Sequence, residues 1–151
     1  MTGFSEKNDK SKNQRNNKKN IMLRKKLIAQ AFENHSKGDF KAAEKYYEKF
    51  ISNGFHDAKV YSNYAILFKE TSRENEALDL LDKLTDKYPN NPEFYSIISD
   101  IFRSQGKLEK AQVSIEKAIN INPDVADYHF NLGLIFIGLK ILSKAVISLK
   151  Q

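Results

Sequence analysis

The stretch that decides the fold is residues 92–125, PEFYSIISDIFRSQGKLEKAQVSIEKAININPDV. Its apolar residues recur every three or four positions on both sides of a break at Gln105–Gly106, which is the spacing of one face of a helix. Pro123 stands where the second helix has to stop, because proline cannot continue the backbone hydrogen-bond ladder. This stretch therefore predicts two helices of ordinary length joined by a short turn.

The same pattern returns along the chain at a constant interval, which equals the distance in sequence from Ala43 to Ala77. This interval is called the repeat step. Two sets of positions at this step hold small residues: Ala43, Ala77, Ala111 and Ala145 form the first, and Ala31, Ala65, Ser99 and Gly133 form the second. Two further sets hold large residues: Leu27, Tyr61, Tyr95 and His129, and Tyr47, Leu81, Ile115 and Leu149. Small residues let two helices approach closely, and large neighbours fill the space beside the crossing. Because no window shows sustained two-residue alternation, we expect an all-α chain built from repeated antiparallel helix pairs.

The repeat resembles the tetratricopeptide repeat (TPR) family in its small–large–small–proline pattern. The match is best over residues 92–125 and nearly as good over 58–91. Residues 24–57 diverge more, as terminal repeats often do, and residues 126–151 form an incomplete fourth repeat. The resemblance implies a right-handed α-solenoid of three full repeats and one partial repeat.

Positive charge is concentrated at the start of the chain. The first 26 residues hold nine of the 25 Lys and Arg residues but only Glu6 and Asp9 of the 19 acidic residues. Residues 1–21 are too polar to offset the entropy cost of ordering, so we expect a disordered basic tail there and a repeat domain over 22–151. A solubilising leader is the favoured role of this tail; contact with nucleic acid or an anionic membrane is the alternative.

Several kinds of chemistry are absent from the sequence. The chain has no cysteine, which excludes disulfides, thiolate metal sites and cysteine nucleophiles. Its three histidines include no pair at the spacing of a zinc site, and His129 falls in a core column, where we expect it to pack. We therefore predict no enzymatic activity, no cofactor and no metal. Because no apolar stretch is long enough for a signal peptide or a membrane span, a cytoplasmic location is expected by default.

In the TPR family the first helix of each pair lines a concave groove that holds segments of partner proteins. The resemblance places the following residues in that groove: Ile28, Phe32, His35, Lys59, Asn63, Ile66, Lys69, Glu93, Ser96, Asp100, Arg103, Phe130, Leu134 and Ile137, with Asp127 and Asn131 at neighbouring positions. Both ends of this set are apolar and its middle carries charges of both signs. The pattern favours an amphipathic helix or an extended apolar peptide as the partner segment.

One family mode clamps the C-terminal carboxylate of a peptide between lysine, asparagine and arginine. Here the corresponding positions carry Ile28, Phe32, Asn63, Glu93 and Ile97. Only Asn63 fits, and the charge of Glu93 would repel a carboxylate, so we do not expect this mode.

Two alternatives remain open at this stage. The last helix carries Ile141, Leu142, Val146, Ile147 and Leu149, which predict an unfinished apolar face and therefore self-association or a longer array. In a longer array, Phe130, Leu134 and Ile137 would pack against a further helix.

As a function, we expect a non-enzymatic module for protein–protein interaction. The alternative is a substrate-orienting segment of a larger sulfotransferase-like or glycosyltransferase-like enzyme.

Overall fold

The computed structural model describes the backbone of residues 3–140 and 147–150, and the side chains of residues 14–140 and 147–150. Seven helices occur in these residues and no strand: α1 (Gly3–Ser36), α2 (Phe40–Ser52), α3 (Ala58–Glu70), α4 (Glu74–Lys87), α5 (Pro92–Ser104), α6 (Leu108–Ile121) and α7 (Ala126–Gly138). The all-α prediction is confirmed, and the predicted break at Gln105–Gly106 falls between α5 and α6.

The first helix of each repeat ends in the same backbone turn. Gly38, Ser72, Gly106 and Lys140 follow one another at the repeat step, and all have φ between 60° and 75°. After the first three, the next amide donates to the carbonyl five residues earlier: Asp39 to Asn34 (2.9 Å), Arg73 to Phe68 (2.7 Å) and Lys107 to Phe102 (2.9 Å). This arrangement satisfies carbonyls at the helix end and reverses the chain direction. The turn keeps its conformation even where the residue is not glycine.

The chain divides into two compact units, one up to Val60 and one from Tyr61. In the first unit α1 packs against α2. Its core consists of Leu27, Ala31, Ala43, Tyr47 and Phe50, each at most 5% exposed.

In the second unit α5 packs against α4, α6 and α7, and α6 packs against α7. One apolar cluster of this unit is formed by Ala111, Ile115, Ala118, Leu132, Ile135 and Phe136.

The small-residue columns lie at tight crossings, as the spacing predicts. Ala43, Ala77 and Ala111 are fully buried. The Ser99 hydroxyl donates to the Ala111 carbonyl at 2.7 Å, so α5 and α6 approach closely there. Ala145, the fourth member of the column, lies outside the described residues, as do Ile141, Leu142 and Val146 of the predicted apolar face.

The start of α1 differs from the sequence-based expectation. Composition predicts a disordered tail over residues 1–21, whereas α1 begins at Gly3 and continues without a break to Ser36. After Gly3, neither glycine nor proline occurs before Gly38, so each residue extends the helix already formed by the packed half of α1. The side chains of residues 14–20 are exposed and add no packing.

Candidate partner-binding groove

Residues from three helices of the second unit surround one cavity of about 290 Å³. Its lining consists of Ile66 and Lys69 from α3, Ser96, Ile97 and Asp100 from α5, and Asn131 from α7. All six stand at positions that the repeat register places in the groove or in its peptide clamp. The geometry therefore brings together side chains from three successive repeats, although Ile66 and Asn131 lie far apart in the sequence.

The charges beside the cavity centre on Asp100. Lys69 Nζ donates to Asp100 Oδ2, and Arg103 Nη2 donates to Asp100 Oδ1 at 2.6 Å. Partial burial raises the pKa of this carboxyl, but the hydrogen bonds and charges of Lys69 and Arg103 outweigh that effect, so the pKa of Asp100 lies below its ordinary value. At neutral pH the carboxylate thus offsets one of the two positive charges, so these three side chains together carry a net charge of +1.

The helix N-termini at the other end of the groove carry acidic residues. Glu93 Oε2 accepts a hydrogen bond from Ser62 Oγ at 2.8 Å, which joins the start of α5 to α3. Partial burial raises the pKa of Tyr128, and the negative charges of Glu93 and Asp127 raise it further. Glu93 and Asp127 are both exposed, so this end favours cationic groups.

The predicted apolar residues of α7 face solvent in the described structure. Phe130 is 54% exposed and Ile137 is 47% exposed, while Leu134 between them is half-buried. Burial of side chains of this size under a partner lowers the free energy, because apolar surface is removed from water. Packing on a further helix, the alternative from the sequence, stays a prediction because residues 141–146 are not described.

The predicted groove residues of the first unit have contacts of their own. The Phe32 ring lies 6.3 Å from the Tyr47 ring. His35 Nδ1 lies 2.9 Å from the Tyr47 hydroxyl, and its ring meets Phe40 edge-on at 5.8 Å. Phe32 and His35 thus pack between α1 and α2.

The other three predicted positions do not line the cavity of about 290 Å³. Ile28 and Asn63 are half-buried, and Lys59 is exposed.

The residues singled out for possible chemistry have structural surroundings in the described part of the chain. No three His, Cys, Asp or Glu side chains among them are grouped as a metal site. His129 is 9% exposed, and its Nε2 lies 2.7 Å from the Pro123 carbonyl oxygen, so it packs as expected from its column. No helix in the described part of the chain is long and apolar enough to cross a bilayer.

Sequence reasoning missed the pairing of the groove charges, although a signal was present. Lys69 contacts Asp100 and Ser62 contacts Glu93, and both pairs have the same separation in the sequence. This separation is slightly shorter than the repeat step, because the facing side chains lie about one helical turn apart in register. Applied along the chain, this offset identifies which groove residues meet.

The chain is similar to known repeat proteins over most of its length. A model described as "TPR repeat" matches residues 100–139, and models described as "Tetratricopeptide repeat" match residues 60–91 and 27–53. Among curated proteins, the human Protein O-mannosyl-transferase TMTC1 is 29% identical over 103 residues, which are 64% of this chain and 11% of the relative. Cell division cycle protein 27 homolog A of Arabidopsis thaliana is 35% identical over 86 residues, 56% of this chain and 12% of the relative.

A solved structure gives the same result for the fold. The crystal structure of TTC0263, a thermophilic TPR protein in Thermus thermophilus, superimposes with a TM-score of 0.72 at 22% identity, over 84% of this chain and 71% of that chain. The matches span little more than a tenth of each curated relative, so they concern the repeats alone. The three repeat matches, the buried columns and the shared turn together show that this chain belongs to the tetratricopeptide repeat family.

Proposed function

We propose that the chain is a non-enzymatic interaction module that binds a peptide or helix of another protein in the groove of α3, α5 and α7. The observation that carries this proposal is the cavity of about 290 Å³ between the three helices. A space of this size accommodates one or two side chains of a bound segment, and the exposed Phe130 and Ile137 provide apolar surface on the same helix as Asn131.

The test is to select peptide ligands of the whole chain from a random library and then to fill the cavity. Ser96→Trp places a large ring where the ligand side chain would sit, and we expect binding at least about tenfold weaker, because the displaced group loses its buried contacts. Val113→Trp is the matched control, since Val113 is 56% exposed on α6 and does not line the cavity. A ligand that tolerates Ser96→Trp and Val113→Trp equally would show that the groove is not its site.

A second function has one specific observation in its favour. The similarity to a human O-mannosyl-transferase makes this chain a candidate for the repeat segment of a larger transferase, in which the groove would orient a protein substrate. Mass measurement of the native product separates the two functions. A product of about 17.4 kDa contradicts the transferase candidate, and a much larger product with a transferase domain supports it.

A further inference from the structure

The exposed side of α1 carries a row of five cations that only Met22 interrupts. Arg15, Lys18, Lys19, Met22, Lys25 and Lys26, together called the basic band, follow each other at steps of three and four residues or as neighbours, so they share one side of the helix. All six are exposed. The band is about 16 Å long at the rise of an α-helix. Residues 10–32 contain no Asp or Glu, so no acidic side chain of this stretch offsets its charge.

The opposite side of α1 is the one that packs. Leu27 and Ala31 are buried in the core with α2. Arg24 also points away from the band, because its Nη2 bonds Asp57 Oδ2 at 2.6 Å and its guanidinium lies 5.9 Å from the Phe50 ring centroid. The band is therefore the surface that α1 leaves to solvent.

Apolar side chains lie within and beside this band. Met22 is 65% exposed in its middle, and Ile21 and Leu23 on either side are 48% and 38% exposed. These three residues contribute little to the core of the first unit. Moving these exposed side chains from water into an apolar environment would lower the free energy.

We propose that the basic band binds the surface of an anionic phospholipid membrane. Cations near such a surface gain roughly fivefold in partitioning each, and the band supplies five. Met22, in the middle of the band, can enter the boundary between headgroups and acyl chains, where exposed apolar groups are stabilised. A nucleic acid offers phosphates to the cations but no such apolar layer, and residues 14–26 hold no aromatic side chain for base stacking. The proposal is independent of the groove.

The experiment is flotation of the full chain with vesicles of phosphatidylcholine containing about 30% phosphatidylserine, against pure phosphatidylcholine. Lys18→Gln with Lys19→Gln should lower the partition coefficient by about 25-fold. The control is Lys41→Gln with Lys45→Gln, which removes the same charge from exposed positions of α2 and should change partitioning by less than about twofold. All four lysines are exposed, so circular dichroism should show unchanged helicity.

A third variant separates a membrane from other polyanions. Met22→Ser leaves every charge in place and should lower vesicle binding by roughly fivefold. Three results would overturn the proposal: equal binding to neutral vesicles, an equal loss in the α2 control, or no effect of Met22→Ser together with tighter binding to a polyuridine RNA than to the anionic vesicles.

Discussion

Neutralising Asp100 should weaken the second unit and change what its groove binds. Asp100→Asn keeps the size of the side chain but removes the charge that Lys69 and Arg103 share. One of the two oxygen positions becomes an NH2 donor, so the cation bound there loses its acceptor. The perturbation is therefore electrostatic, with little change in packing.

The magnitude follows from the exposure of the three side chains. Asp100 is 25% exposed, Lys69 is 33% exposed and Arg103 is 38% exposed. Ion pairs this open to solvent contribute about 0.5 kcal/mol each, so the substitution should cost about 1 kcal/mol for the two pairs. For a chain of this length the loss corresponds to a fall of roughly 3 °C in Tm. The loss of stability caused by Asp100→Asn should be smaller at about 1 M salt, where the electrostatic screening length is about 3 Å.

The pH dependence has a definite sign. The pKa of Asp100 is lower in the folded chain than its ordinary value, so the unfolded chain binds more protons in the acid range. The stabilisation is therefore complete above the unfolded pKa of about 3.9 and disappears as the pH falls through the folded pKa. The wild type and Asp100→Asn should differ in unfolding free energy at pH 7, and the difference should shrink progressively as the pH falls below about 4.

Urea unfolding from pH 7 to pH 3, with double-mutant cycles against Lys69→Gln and Arg103→Gln, measures both effects. Coupling below about 0.2 kcal/mol in both cycles, or a difference that is the same at every pH, would refute the reasoning. In the groove, Asp100→Asn leaves Lys69 and Arg103 without their shared counter-charge. Acidic peptides selected on the chain should then bind about three to five times more tightly at low salt.

Four further substitutions test the fold. Gly106→Ala should cost about 1 kcal/mol, because φ is +70° while no atom lies within 4 Å of the added methyl group. Ser72→Gly at the equivalent turn should leave stability unchanged or raise it by up to about 1 kcal/mol. Thermal unfolding should show a lower Tm for Gly106→Ala, and a lower Tm for Ser72→Gly as well would contradict this reasoning. Phe94→Ala should cost about 3–5 kcal/mol in urea unfolding, since Phe94 is fully buried, and a cost under about 1 kcal/mol would mean that the site is not packed. Arg24→Gln should cost about 0.5 kcal/mol by breaking the ion pair with Asp57, and a variant as stable as wild type at low salt would contradict that contact.

The helix pairs and their register could be predicted from the amino-acid sequence. Each crossing is buried and admits only a small side chain. Ala43, Ala77 and Ala111 therefore recur with the helices that cross there. The same register also contains the turn at Ser72, whose positive φ follows from its place between Gly38 and Gly106. Helix type, helix ends and the identity of the small positions are local or periodic properties, which a sequence carries directly.

The groove charges and the course of α1 depended on the tertiary structure. In the sequence Lys69, Asp100 and Arg103 are three separate charges of a groove face; only the stacking of α3 on α5 makes them one network with a single net charge. Likewise, composition argues against order in residues 3–21, whereas the structure continues there a helix nucleated by the packed part of α1. From residue 22 onward, the sequence determined which residues form helices and which face they share. Contacts between side chains of successive repeats depend on how far apart two helices lie, and only the folded chain sets that distance.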